Sequence, residues 1–244
     1  MDWYKNWFGS PYYKTLYQNR DEVEAQEFVE SLLSHLQPHL DSTMLDIACG
    51  EGRFARQLAG HGYDVTGIDI SHHSIESAKE FESERLQFFV QDMRFPFYIN
   101  YFNYAFNFFT SFGYFTNARD HALAAKSFAA ALKSNGLLVI DYLNYEQVLA
   151  NFVHEETVER GSYTFNIKRF TEHNHIVKDI SFIDAEGNLR NYRESVAAFS
   201  LSDFNKLFRA AGMALVGTFG DYHLSPYHPV DSPRLIMIFK KKHV

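Results

Sequence analysis

The 244-residue chain is short of cysteine, of clustered basic charge and of long apolar runs. Cys49 is its only cysteine, so an internal disulfide is impossible and no CxxC metal site exists. The formal charge of −7 argues against a phosphate-backbone partner, whose affinity rests on clustered Lys and Arg. The one basic run, Lys240–Lys242, reads as a solvated strand end. No nucleic-acid partner is expected. No apolar stretch approaches the ~18 residues of a membrane-spanning helix. The sequence Met1-Asp2-Trp3-Tyr4-Lys5 lacks the basic-then-apolar order of a signal peptide. The expectation is a cytoplasmic protein without a membrane partner. His72-His73 and His173-x-His175 come without the Cys or carboxylate partners that a zinc site uses, so no metal is expected either.

Aromatic side chains are abundant, at 17% of residues with 24 Phe and 15 Tyr. They suit a large core, an apolar pocket or an interface. A chain of this length buries one core, or a core plus a modest subdomain. Residues 1–20 read as irregular and aromatic, and residues 1–40 as a lid followed by an amphipathic helix with Ala25, Phe28, Val29, Leu32 and Leu36 on one face. From residue 43 the pattern alternates. Strands are predicted at 43–47, 63–68, 86–91, 102–108 and 137–142, and helices at 52–59, 72–82 and 119–132. Such alternation implies an α/β, doubly wound, mostly parallel sheet covered on both faces. Residues 156–200 are β-rich and read as an antiparallel meander inserted into a single domain spanning 1–244. It is expected either to cap a pocket or to form a homodimer contact. A helix over 202–211 and strands at 213–219 and 234–240 complete the chain.

The segment Leu45-Asp46-Ile47-Ala48-Cys49-Gly50-Glu51-Gly52-Arg53 sits where the first strand gives way to a helix. Glycines there let backbone approach a ligand without Cβ interference, beside free N–H groups at the helix start. Gly50-x-Gly52-x-x-Ala55 also satisfies the dinucleotide pattern, so an NAD(P)-dependent oxidoreductase is the rival reading. The acids separate the two. Asp46, at the strand end, repels a pyrophosphate but suits a ligand with a cationic amino-acid end. Asp69 ends the next strand, where an acid accepts from ribose hydroxyls. Asp92 ends the third, within reach of an adenine amino group.

Asp46–Arg53 resembles motif I of the class I S-adenosylmethionine (SAM)-dependent methyltransferases, Gly67-Ile68-Asp69-Ile70-Ser71 their second motif, and Gln91-Asp92-Met93 their third. Phe102–Phe115 resembles the fourth-strand segment, with Ser111-Phe112-Gly113-Tyr114 present but Asn103 in place of an Asp. The resemblance implies a seven-stranded sheet with an antiparallel last strand, and SAM as cofactor with S-adenosylhomocysteine as product. It implies cofactor contacts from Asp46, Ala48, Gly50, Gly52, Arg53, Asp69, Ile70, Asp92 and Met93, and near Asn107. Tyr13-x-x-x-Tyr17-x-x-Arg20 resembles the N-terminal segment that closes over the methionine end in small-molecule N-methyltransferases, which adds Tyr13 and Arg20. Arg20 suits the SAM carboxylate because its planar fork pairs bidentately. The Asn103 departure is expected to touch strand geometry rather than SAM.

Methyl transfer from a sulfonium needs positioning more than covalent help, so no fixed catalytic residue is expected. A base is needed only if the nucleophile arrives protonated. His223 and His228, in the loop Asp221–Pro233, are candidates because imidazole titrates near neutrality. Tyr114 is a third. The acceptor is expected to be a small molecule, contacted by the aromatic N-terminus, Asn107–Phe115, Asp141–Asn144 or Asp221–Pro233. A SAM-binding regulatory or scaffold protein without catalysis is the alternative from another class.

Overall fold

A computed structural model describes residues 3–17 and 22–242. Elements run α1 (Trp3–Phe8), α2 (Pro11–Leu16), α3 (Glu22–Leu36), β1 (Thr43–Ile47), α4 (Arg53–Gly60), β2 (Asp64–Asp69), α5 (His72–Lys79), β3 (Leu86–Val90), β4 (Phe102–Asn107), α6 (Ala118–Ala131) and β5 (Leu132–Leu143). They continue with α7 (Tyr145–Ala150), β6 (Glu155–Arg160), β7 (Tyr163–Glu172), β8 (His175–Ile183), β9 (Leu189–Ala197), α8 (Leu201–Ala210), β10 (Met213–Phe219) and β11 (Arg234–Lys241).

Seven strands form the main sheet in the order β10-β11-β5-β4-β1-β2-β3. The pairs β1–β2, β1–β4, β2–β3 and β4–β5 are parallel, and β11 lies antiparallel between β5 and β10. The sequence dictates this burial. Leu138, Val139 and Ile140 of β5 carry apolar side chains on both faces and are fully buried, as a central strand between two helical layers requires. One layer packs Phe28, Val29 and Leu32 of α3 with Phe54, Ala55 and Leu58 of α4, and the other packs α6 with Phe204 and Phe208 of α8. Caps fix the helix starts: Ser71 Oγ accepts from the Ser74 N–H at 3.2 Å, and Ser200 forms a capping box with Asp203.

Four antiparallel strands, β6-β7-β8-β9, form a second sheet. The β-rich stretch 156–200 forms this antiparallel meander, and within it the chain turns at Gly161-Ser162 so that β6 pairs back on β7. One correction concerns residues 1–20, read as irregular. Their described part forms two short helices, α2 starting at a Ser10 N-cap whose Oγ accepts from the Tyr13 N–H at 3.2 Å, with Pro11 at the first helical position. These helices supply what the second sheet lacks. Trp7 and Leu16 complete a buried cluster with Phe165, Ile167, Ile180 and Phe182. Asn103 sits at the amino end of β4, where its Oδ1 accepts from the Thr43 N–H (3.1 Å) and Lys133 Nζ (2.8 Å). That ties β1 to β4 at the end of the sheet away from the glycine loop. No helix among the described residues is long and apolar enough to cross a membrane.

Candidate functional site

In open α/β sheets, ligands bind outside the carboxyl ends of the strands where the strand order reverses. Here β1 is flanked by β2 on one side and β4 on the other, and a cavity of about 360 Å³ opens at those ends. Its floor is the loop after β1. Gly50 and Gly52 adopt φ of 57° and 80°, and a Cβ on Gly52 would overlap the Phe88 ring, so glycine is required there on two counts.

Asp69, at the end of β2, accepts from the Gly50 N–H through Oδ2 (2.9 Å) and from the Ser71 N–H through Oδ1 (2.8 Å). Each oxygen thus keeps acceptor capacity toward the cavity that Asp69 lines. Asp46 is only 1% exposed, lines the same cavity, and its Oδ2 has no hydrogen-bond partner. Burial pushes its carboxyl up to about 7; the Asp69 charge adds to the rise, while a backbone hydrogen bond and Arg53 oppose it. A buried carboxylate oxygen without a donor is costly, and a cationic ligand group would relieve it.

The remaining predicted residues fall as follows. Ala48, Arg53, Ile70, Met93 and Tyr13 line the cavity. Asp92 lines it too, but both its oxygens are forked by Arg94, which also reaches Asp120 at 2.8 Å. The expected acceptor for adenine is therefore a neutralised one. Gly52 and Asn107 stand behind the wall: fully buried Asn107 donates through Nδ2 to the Ile47 carbonyl (2.9 Å) and anchors the end of β1. Arg20 lies outside the described residues.

Part of the cavity wall is aromatic. Phe8, Tyr13, Tyr17 and Tyr114 form a continuous ring set, with Phe8–Tyr114 centroids 4.9 Å apart and Tyr13–Tyr17 5.0 Å apart. Burial, with the nearby Glu194 charge, pushes the Tyr114 phenol well above its ordinary range. Tyr114 is consequently a donor and an aromatic wall at neutral pH, not a base. Of the two histidines, His223 lines a separate cavity with Glu24, Glu27 and Asp221, and His228 lines neither. The Asp221–Pro233 loop is drawn away by Asn144, whose Nδ2 donates to the carbonyls of Pro229 (2.7 Å) and Ser232 (2.8 Å).

Sequence reasoning missed one polar anchor, Glu194, and read a second, Asp141, as a contact of the methyl acceptor, whereas it is fully buried and outside the cavity lining. Glu194 of β9 is buried and accepts from Trp7 Nε1 (2.6 Å), from the Tyr17 hydroxyl (2.9 Å) and, as an ion pair, from Lys178 Nζ (3.3 Å). It fastens the aromatic wall to the second sheet. Glu194→Ala strands the Trp7 N–H and leaves Lys178 Nζ with the Tyr17 hydroxyl (2.9 Å), and should cost about 1–3 kcal/mol. Tryptophan emission should shift to the red as the segment loosens, while far-ultraviolet circular dichroism stays native. The second anchor is Asp141 of β5, fully buried against Arg234 of β11 (2.7 Å). It also accepts from the Phe109 N–H (2.8 Å) and the Tyr222 hydroxyl (3.1 Å). Phe109 and Thr110, both cavity-lining, adopt left-handed φ of 55° and 58°, and Arg234 donates to Thr110 Oγ1 at 3.0 Å. The sequence gives no local cue to either anchor, because the partners lie far apart in the chain.

The profile of the methyltransferase-domain family matches residues 17–217. The chain belongs to that family, and its fold is that of the class I, Rossmann-like SAM-dependent methyltransferases. Glycine N-methyltransferase from Homo sapiens is 24% identical over 248 residues, covering 88% of this chain and 83% of its own. A SAM-dependent methyltransferase from Clostridium acetobutylicum ATCC 824 superposes with a TM-score of 0.80 at 18% identity, covering 98% of this chain and 99% of that one. The sugar N-methyltransferase KedS8 from Streptoalloteichus sp ATCC 53650 gives 0.72 at 19% identity, covering 95% and 93%. The oxidoreductase reading of the glycine loop is set aside.

Proposed function

We propose that the protein transfers a methyl group from SAM to a nitrogen or oxygen of a small, partly apolar acceptor, releasing S-adenosylhomocysteine. The observation that carries this reading is one cavity lined both by the carboxylates of Asp46 and Asp69 and by the rings of Phe8, Tyr13, Tyr17 and Tyr114. When bound, SAM supplies a methyl group already activated on a sulfonium, with a neutral thioether as leaving group.

The chain's own residues bind, orient and exclude water. Asp69 accepts from the ribose hydroxyls, Asp46 faces the cationic methionine end, and the backbone from Ala48 to Gly50 and at Ile70 and Met93 lies along the cofactor. The aromatic wall closes over the acceptor and brings it into line with the methyl group, which supplies much of the rate without a dedicated base. Ring faces attract the positive charge that builds on a neutral amine as its nitrogen takes the methyl group, which favours a nitrogen acceptor; the N-methyltransferases among the similar proteins support the same choice. The second sheet serves this end by holding α1 and α2 through Glu194.

Incubation with SAM and a panel of glycine, glucosamine and catechol, read as S-adenosylhomocysteine formed, tests the reading. The expected result is turnover with an amine. Tight binding of S-adenosylhomocysteine with no transfer to any acceptor in a broadened panel would instead favour a non-catalytic SAM-binding protein.

A further inference from the structure

Among the described residues, Asp46 is the one buried acid of the cavity with an oxygen, Oδ2, that meets no donor. Its surroundings define what happens when a cation arrives. From β2 it faces Asp69, already holding two backbone N–H groups. From its own loop it faces Cys49, whose thiol burial pushes well up and keeps neutral, and from α4 it faces Arg53. From β4 the neighbour is the Asn107 amide, spent on Ile47. The other charges of the wall are matched in pairs: Glu51 with Lys14 of α2, Glu22 with Arg56, and Asp92 with Arg94. Tyr13, Tyr17 and Tyr114 add only phenols. Among the described residues Arg53 is the one cation acting on Asp46, and Asp46 Oδ2 still has no hydrogen-bond partner.

We propose that Asp46 holds a proton in the cofactor-free protein and gives it up when the ammonium of the methionine end enters, so that cofactor binding is coupled to proton release. The inference rests on the SAM reading of the site. The carboxyl O–H bond breaks, the proton passes to buffer, and the carboxylate left behind is neutralised by the ligand's ammonium; nothing is oxidised or reduced. Burial, with one oxygen lacking a donor, favours the protonated acid while the cavity is empty. The bound ammonium reverses that preference.

The sign follows from linkage. With the carboxyl raised to about 7, the empty protein carries the proton below that pH and must lose it to bind. Affinity for S-adenosylhomocysteine should rise about tenfold per pH unit between roughly pH 5 and 6.5, and level off above about 7.5. The cofactor-free protein should move the opposite way: the contribution of this group to stability is intact near pH 4 and is lost as pH rises toward about 7.

Calorimetric titrations in buffers of different ionisation enthalpy count the protons directly. S-adenosylhomocysteine should release about half a proton at pH 7 and almost none at pH 8, where its own ammonium is still intact. 5′-Methylthioadenosine, which keeps the ribose but lacks the amino-acid end, should release none. Asp46→Asn should bind S-adenosylhomocysteine without proton release and with a flat pH profile. Binding of S-adenosylhomocysteine by the wild type with no proton release overturns the inference, as does equal release in Asp46→Asn. Equal release with 5′-methylthioadenosine assigns the proton to Asp69 and overturns it too. Failure of either ligand to bind at millimolar concentration would remove the cofactor reading itself, a different result from binding without proton release.

Discussion

Asp69→Ala should weaken S-adenosylhomocysteine binding by roughly 100-fold or more, measured by calorimetry at pH 7.5. Hydrogen bonds to a charged partner contribute about 1.5–3 kcal/mol each, and two ribose hydroxyls would lose theirs together. The substitution also releases the N–H groups of Gly50 and Ser71, which Asp69 holds at 2.9 and 2.8 Å, so the glycine loop loses its anchor to β2. Asp69→Asn keeps an acceptor oxygen and should lose roughly a tenth as much affinity, on the order of tenfold. His228→Ala supplies the contrast: its side chain is absent from the cavity wall, and cofactor affinity should stay within about twofold. A loss at His228 equal to that at Asp69 would mean that the cofactor sits elsewhere.

Arg234→Met is the second large effect, and it acts on stability. The substitution leaves the Asp141 carboxylate, fully buried in β5, without its guanidinium. Breaking a buried pair from one side costs about 3–5 kcal/mol, which for a chain of this size lowers Tm by on the order of 10 °C. The damage should reach the cavity as well. Phe109 and Thr110 are non-glycine residues at left-handed φ, a conformation that costs energy unless neighbours impose it. The imposing groups are Asp141, on the Phe109 N–H, and Arg234, on Thr110 Oγ1. Hydrogen exchange at the Phe109 and Thr110 amides should accelerate more than exchange in the core of β5. The double variant Asp141→Asn/Arg234→Met removes both charges and should be less destabilised than the sum of the two single variants. Strict additivity would mean that the two charges do not act as a pair.

How much of this was legible in the sequence depends on how far apart the interacting residues lie. The alternation of β1, α4, β2, α5 and β3 follows from apolar periodicity within short windows, and the structure places those elements within a few residues of the expected ranges. The loop after β1 was legible for the same reason: Asp46, Gly50 and Gly52 act through local backbone geometry. The Ser10-Pro11 start of α2 was a local signal too, overlooked beside the density of aromatic residues around it. Elsewhere the determinants are remote. Asp141 and Arg234 are separated by 93 positions, and Trp7 and Glu194 by 187, so nothing in a window around either member announces the pair. The histidines show the converse error. Their titration range made His223 and His228 attractive, but Asn144 and the turn geometry of their loop decide where they point, and they stand away from the cavity wall. Asp92 was read as an acceptor for an adenine amino group, and its pairing with Arg94, two residues on, rests on a side-chain torsion that sequence spacing does not specify.

In the proposed binding mode SAM lies along the carboxyl ends of β1, β2 and β3 with its sulfur turned toward the aromatic wall of the cavity. A crystal structure of the complex with S-adenosylhomocysteine should show the ribose hydroxyls on Asp69, the amino-acid end at Asp46, and open space between the sulfur and the rings of Phe8, Tyr17 and Tyr114. A ligand bound with its ribose away from Asp69, or with its sulfur walled off from those rings, would contradict the proposed mode.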